Sequence, residues 1–364
     1  MHPVIEMRNI TKCFPGVVAN QNINLTVMPG EIHALLGENG AGKTTLMNIL
    51  SGMYRPDSGE ILLHGRKVFL KSPFYALKKG VGMIYQHFKL VSSFTVAENV
   101  VLGDPRAPIF MRQRKLEKRV REIAGAYGFN LNMSDKVGQL SIGEQQRVEI
   151  LRALYRKSDV LIMDEPTTVL TPDEVKDLFS ILRRMAAQGK AIILITHKLH
   201  EVMAVADSVT VLRRGEVVDT IPASQADEGL LARMMVGREA DWERHSVEEE
   251  AGKPVLEMQA VSVRGDKGNM AIDGLKLDLK SGEILAIAGV AGNGQKELVE
   301  AMAGLRPIAS GKMLLEKRDV TNRSVRAMTS LGVRLVPEDR LGMGLVGGMG
   351  VPDNMILRDY FIPR

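Results

Sequence analysis

The sequence has 364 residues, 45% hydrophobic and 25% charged, with a formal net charge of +5; that length implies about two domains with room for a large core. It excludes a disordered or fibrous chain, no apolar run approaches the roughly 18–20 residues of a membrane span, and the opening Met1-His2-Pro3-Val4-Ile5-Glu6 lacks the basic and apolar regions of a signal peptide. The single cysteine, Cys13, rules out a disulfide framework and fits a reducing cytosol, while the mild positive charge permits an anionic surface as partner without implying nucleic acid.

Val4-Ile5-Glu6-Met7 and Ile23-Asn24-Leu25-Thr26-Val27 alternate apolar with polar residues and predict strands with one solvated face. Between them lies Lys12-Cys13-Phe14-Pro15-Gly16. Phe14 is a candidate to stack on an adenine ring; the alternative is a loop aromatic covering core. Glu31-Ile32-His33-Ala34-Leu35-Leu36 suits a buried strand and runs into Gly37-Glu38-Asn39-Gly40-Ala41-Gly42-Lys43-Thr44-Thr45. This reads G-x-x-x-x-G-K-T, a phosphate-binding loop, and the residues from Thr45 to Leu50 suit the helix that should follow. The glycines let backbone N–H groups turn onto phosphates, and the helix offers its positive end to the same anion. Lys43 is placed to reach the β- and γ-phosphates, and the Thr44 hydroxyl to ligate Mg²⁺.

Pro56-Asp57-Ser58-Gly59 predicts a turn before a strand at Glu60-Ile61-Leu62-Leu63. Gly82-Met83-Ile84-Tyr85 predicts another strand, ending at Gln86, which is placed to reach a metal or its water. Residues 95–135 read as helical, with a basic stretch at 111–121 that suits a solvated face or a contact at a membrane surface. Leu140-Ser141-Ile142-Gly143-Glu144-Gln145-Gln146-Arg147 opens a helix. Ser141 and Glu144 have the spacing of a capping box, and Ser141 with Gly143 at a helix N-terminus also suits an anion.

Asp159-Val160-Leu161-Ile162-Met163-Asp164-Glu165 is a buried strand ending in two carboxylates. The C-terminal ends of parallel strands face the ligand crevice. Asp164 can hold Mg²⁺ through water, and Glu165 can orient or deprotonate the attacking water. Thr171 caps the next helix with Pro172 at its first position. Ala191-Ile192-Ile193-Leu194-Ile195 is a further buried strand, ending at Thr196-His197. His197 is therefore a candidate γ-phosphate contact, whereas His33, His64, His87 and His200 have no such setting.

The polar, acidic stretch 239–254 has the composition of a linker. Beyond it the chain repeats itself. Gly30, Gly37, Gly40, Gly42, Gly52 and Gly59 recur as Gly282, Gly289, Gly292, Gly294, Gly304 and Gly311, each 252 residues on. At that offset Lys43 becomes Gln295, Thr44 becomes Lys296 and Gln86 becomes Glu338. The copy keeps the loop's glycines and loses its phosphate lysine and Mg²⁺ hydroxyl. It should hydrolyse poorly, with backbone N–H groups and Lys296, one position out of register, as its remaining phosphate contacts. Asn354 parallels Asn99, and nothing equivalent to 140–197 occurs a second time.

In this order, the loop, Gln86, the Leu-Ser-x-Gly-x-Gln element at Leu140, the Val160–Glu165 strand and His197 resemble an ABC-transporter ATPase cassette. The chain is similar, more narrowly, to tandem-cassette ATP-binding subunits of bacterial simple-sugar and nucleoside importers. The segments carrying that match run from Asp164 to Thr171, from Gly289 to Gln295 and from Val336 to Arg340. The resemblance implies an α/β P-loop NTPase fold: a RecA-like core with an antiparallel β-subdomain and an α-helical insertion. One cassette would be complete over 1–238, with a linker over 239–254 and part of a second cassette over 255–364. It implies ATP and Mg²⁺ as ligands, with Ser141, Gly143 and Glu144 of one cassette closing on the phosphate loop of another. Glu165, His197 and Gln86 would carry hydrolysis.

The implied partners are two integral-membrane permease subunits and an extracytoplasmic solute-binding protein, with no nucleic acid and no direct membrane insertion. The implied location is the cytoplasmic face of the bacterial plasma membrane, and nucleosides are favoured over sugars on general similarity. Two departures stand out. Thr171 occupies a position where many cassettes carry Asp, and the second copy lacks signature, Walker B strand and histidine. The intact loop thus has no signature in this chain to close on, so the sequence is expected to be a piece of a longer subunit or to need a second chain. The competing functions are a soluble ABC-type ATPase acting on ribosomes or nucleic acid, and a nucleotide-binding module without turnover.

Overall fold

The computed structural model describes residues 2–85, 88–104, 113–168, 170–237, 252–266, 268–289, 292–337 and 340–357. The chain forms two compact units, Met1–Trp242 and Glu243–Arg364.

The first unit opens with a long antiparallel hairpin, β1 (Ile5–Phe14) and β2 (Val17–Val27), turning at Pro15-Gly16. The expected short strands are the ends of this hairpin, and Lys12, Cys13 and Phe14 belong to β1 rather than to a loop. Next come β3 (Ile32–Leu36), α1 (Lys43–Leu50), β4 (Ser58–Leu63), β5 (Arg66–Val68), α2 (Pro73–Lys78) and β6 (Val81–Ile84). Then follow α3 (Val96–Val101), α4 (Gln113–Ala126) and α5 (Ile142–Tyr155). Among the described residues the helical expectation for 95–135 is met by α3 and α4, while 127–135 is irregular. The unit ends with β7 (Val160–Asp164), α6 (Pro172–Ala187), β8 (Ala191–Ile195), α7 (Leu199–Val205), β9 (Ser208–Arg213), β10 (Glu216–Pro222) and α8 (Glu228–Val236).

Two sheets result. One is antiparallel, in the order β2-β1-β4-β5; the other has the order β10-β9-β3-β8-β7-β6 and is parallel from β9 to β6. Strands β3 and β8 are buried at every position, as unbroken apolar runs require when both faces of a sheet are covered. Because successive side chains point to opposite faces, β7 feeds two cores. Leu161 and Met163 pack with α3, α4, α5 and α6, while Val160 and Ile162 pack with α1 and the antiparallel sheet.

The second unit contains β11 (Pro254–Arg264), β12 (Met270–Lys280), α9 (Gln295–Met302), β13 (Ile308–Leu315), β14 (Arg318–Asp319), α10 (Val325–Ser330) and α11 (Val351–Ile356). Its sheet order, β12-β11-β13-β14, repeats that of the first unit's antiparallel sheet. Helix α9 starts and ends 252 residues after α1, and Gly42 and Gly294 precede them at φ 99° and 94°. The two units differ at β3. Its sheet neighbours are β8 and β9. The corresponding residues 283–289 form no strand, and Ile284 is 98% exposed. Asn354 repeats the hydrogen bonding of Asn99. Each amide side chain brackets the backbone of the residue eight positions earlier, Val346 or Val91.

Candidate functional site

Strand β3 delivers the chain to the glycine loop from the middle of the parallel sheet. A Cβ on Gly42 would lie 2.3 Å from Ala19 O and one on Gly37 2.4 Å from Leu212 O, so the loop packs too tightly for any side chain at either position. No side chain caps α1, which leaves its first-turn N–H groups for an anion. Lys43 is 5% exposed, and its Nζ donates to Gly37 O at 2.7 Å and Glu38 O at 2.9 Å, spanning the loop. Burial pushes this ammonium below the usual lysine range, against the pull of Glu165 and Asp164. Ala41 is buried, Thr45 half-buried, and Glu38, Asn39, Gly40 and Thr44 are exposed.

The carboxylates come from the strand two places away. Asp164 ends β7, whose neighbour β8 separates it from β3. Burial, reinforced by Glu165, raises the Asp164 pKa, while Lys43 opposes the rise. Glu165 lies just beyond the strand at φ 45°, left-handed for a side chain with a Cβ. Its N–H donates to Ile195 O at 2.9 Å, and its carbonyl accepts from Thr168 Oγ1 at 3.1 Å. His197 Nδ1 donates to Glu165 Oε1 at 2.9 Å, so Lys43, Asp164, Glu165 and His197 form one polar constellation at the C-terminal edge of β3, β8 and β7.

Thr44 and Asp164 offer a hydroxyl and a carboxylate, hard oxygen donors that suit Mg²⁺. That ion commonly takes only one or two protein ligands and completes its shell with water and phosphate oxygens. The adjacent carboxyl groups of Asp164 and Glu165, whose mutual repulsion Lys43 opposes at Asp164, also suit a divalent cation. Among the described residues no group of three or more His, Cys, Asp or Glu could hold a metal by itself. Gln86, the other candidate ligand, lies outside the described residues, as does Glu338.

Phe14 is 37% exposed and meets Tyr54 edge-on, with ring centroids 5.4 Å apart. Asp57 fastens this end of β1 by accepting from Cys13 N at 2.7 Å and Lys12 Nζ at 2.8 Å. Ser141 and Glu144 form the reciprocal capping box of α5, with Glu144 N to Ser141 Oγ at 3.2 Å and Ser141 N to Glu144 Oε2 at 2.8 Å. A Cβ on Gly143 would come within 2.4 Å of Glu174 Oε1, so this helix end packs tightly on α6. Among the described residues no hydrogen bond or ion pair joins Ser141, Gly143 or Glu144 to the loop at 37–45.

Tyr54, Asp57, Gln146 and Lys198 contact Phe14, Cys13, Pro166 and Thr167, and sequence reasoning gave none of these contacts because each pair lies far apart along the chain.

The family model described as "ABC transporter" matches residues 20–168. The glucose import ATP-binding protein TsgD13 of Haloferax volcanii is 47% identical over 98% of this chain and 70% of its own length. The chain belongs to the ABC transporter ATP-binding subunits. The guanosine import ATP-binding protein NupO of Bacillus subtilis is 46% identical over 99% of this chain and 71% of its own. The cassette cbiO1 from Clostridium perfringens, part of the ABC transporter complex cbiONQ, is 28% identical with a TM-score of 0.55, covering 62% of this chain and 90% of that one. The cassette MJ1267 in its ADP conformation has a TM-score of 0.59 at 23% identity, covering 65% of this chain and all of its own, and shows the fold alone. The fold is that of a P-loop NTPase and the activity that of an ABC-type ATPase. Because TsgD13 and NupO are import ATP-binding proteins, action on ribosomes or nucleic acid is set aside.

Proposed function

We propose that this chain powers the import of nucleosides or simple sugars from the cytoplasmic face of a bacterial plasma membrane. It would act with two integral-membrane permeases and an extracytoplasmic solute-binding protein. Residues 1–238 would be a complete cassette, 239–254 a linker and 255–364 part of a second, degenerate cassette, which gives the subunit tandem cassettes. The shared sheet order and the register of α9 with α1 support the tandem reading. In that arrangement Ser141, Gly143 and Glu144 close on a phosphate loop from another cassette.

The observation that carries the reading is the convergence of Lys43, Asp164, Glu165 and His197 at the ends of three adjacent strands. Residues 37–45 would cradle the triphosphate, with Lys43 on its terminal phosphates and Phe14 against the adenine. Thr44, Asp164 and Gln86 would hold Mg²⁺, which supplies charge neutralisation when bound. Glu165 would orient and deprotonate water, and His197 with Gln86 would contact the γ-phosphate. The test is Mg·ATP affinity and phosphate release in wild type and Lys43→Ala. Affinity should fall at least tenfold in the variant, and equal affinity in both would overturn the assignment.

A further inference from the structure

The turn that carries Glu165 is fastened from two directions. From α5, Gln146 Nε2 donates to Pro166 O at 2.7 Å. From the segment that carries His197, Lys198 Nζ donates to Thr167 O at 3.2 Å and to Thr167 Oγ1 at 3.1 Å. The same ammonium lies 3.0 Å from Glu201 Oε1. The other oxygen of Glu201 accepts from Thr196 Oγ1 at 3.3 Å, and Thr196 Oγ1 accepts from Lys198 N at 3.1 Å. Thr167, Thr196 and Glu201 are buried and the Lys198 side chain is half-buried, so the bonds are partly shielded from water, which strengthens them.

We propose that Lys198 is a positioning residue for ATP hydrolysis. It yokes the His197 segment to the Glu165 turn so that both reach the nucleotide as one body. Three facts point that way. Glu165 holds a left-handed backbone that needs external restraint. The Lys198 bonds land on the residue two positions beyond Glu165. Lys198 itself directly follows His197, so one side chain spans from the one segment to the other. Gln146 adds α5, the helix that begins at Ser141, to the same body. The inference rests on the assignment of Glu165 to hydrolysis.

The test compares Lys198→Met/Glu201→Gln, Lys198→Arg and Glu165→Gln in the subunit assembled with its permeases. The paired substitution avoids stranding the buried Glu201 charge, which could unfold the chain by itself. It should lower kcat at least tenfold while KM for ATP stays within twofold and the melting temperature within a few degrees. Lys198→Arg, which keeps a cationic donor, should recover most of the rate. In the Glu165→Gln background the pair should change the residual rate by less than twofold, because Lys198 acts through that residue. A kcat within twofold of wild type, or a loss matched by an equal loss of folded protein, overturns the proposal. If Glu165→Gln itself turns over normally, the underlying assignment fails instead.

Discussion

His197 and Glu165, 32 residues apart in the chain, meet at 2.9 Å between Nδ1 and Oε1. The sheet makes this contact. Asp164 and Ile195 are partners in the parallel ladder of β7 and β8, so the residues just beyond them leave the sheet side by side. A carboxylate only accepts, so Nδ1 is the donor in this bond.

Glu165→Gln should keep ATP binding and lose turnover. The amide keeps the shape and can still accept from His197, but it cannot take a proton from water. A general base contributes about 10²–10⁴-fold, so phosphate release should fall by at least two orders of magnitude while nucleotide stays bound. Nucleotide retention on a filter, measured beside phosphate release, separates these effects. Wild-type release would remove Glu165 from the chemistry.

Asp164→Asn should trade function for stability. Burial first, and then Glu165, raise the Asp164 pKa in the fold. The protonated form is therefore the one that folding favours. Its contribution is full below the ordinary aspartate value of about 3.9 and is lost as pH rises through the raised value. The nucleotide-free variant should melt higher than wild type near neutrality, by about 2–4 °C for each kcal/mol in a domain of this size. The gap should close as pH falls toward the ordinary value. Mg²⁺-dependent tightening of ATP should weaken in the same variant. Calorimetric melts across pH check the first part and titration with and without Mg²⁺ the second.

What could be read from the sequence is what is local. The capping box at Ser141 and the cap at Thr171 need only local spacing, and both form, the second also as a box with Glu174. The unbroken apolar runs at 160–163 and 191–195 become buried strands because nothing but a covered sheet can absorb them. Contacts across long stretches of chain leave no such trace. Lys198 reaches Thr167 over 31 residues. His33, which no spacing singles out, is buried between Glu31 Oε1 at 2.8 Å and Thr210 Oγ1 at 2.7 Å. Residues 283–289 copy the run before the first glycine loop yet form no strand, because a strand also needs neighbours and those of β3 arrive from β8 and β9.

Phe14→Ala should weaken ATP and spare inorganic tripolyphosphate. Base–aromatic stacking is worth about 1–3 kcal/mol, so ATP affinity should drop roughly five- to 150-fold. Phe14→Tyr should stay near wild type, because Tyr54 meets the ring edge-on and a ring of the same outline is kept. Competition titration with the two ligands reads the difference. Equal loss for both would mean that Phe14 supports the loop rather than the base.

The two inner glycines of the loop should respond differently to alanine. Both hold left-handed backbone, φ 86° at Gly40 and 99° at Gly42, so each substitution pays about 1–2 kcal/mol of backbone strain. The surroundings separate them. A Cβ on Gly40 meets nothing within 4 Å, whereas one on Gly42 lies 2.3 Å from Ala19 O and 2.6 Å from Asn20 Nδ2. Ala19 O is backbone of β2 and cannot yield without moving the strand. Asn20 is fully buried and donates to Gly42 O at 3.2 Å. Gly42→Ala should therefore lower stability well beyond Gly40→Ala and disturb the hairpin as well as the loop. Gly40→Ala should leave the fold nearly intact and act on phosphate binding, since its Cβ enters the open space above the loop. Denaturant melts paired with ATP titration decide the matter. Equal destabilisation would show that backbone strain alone sets the glycine requirement.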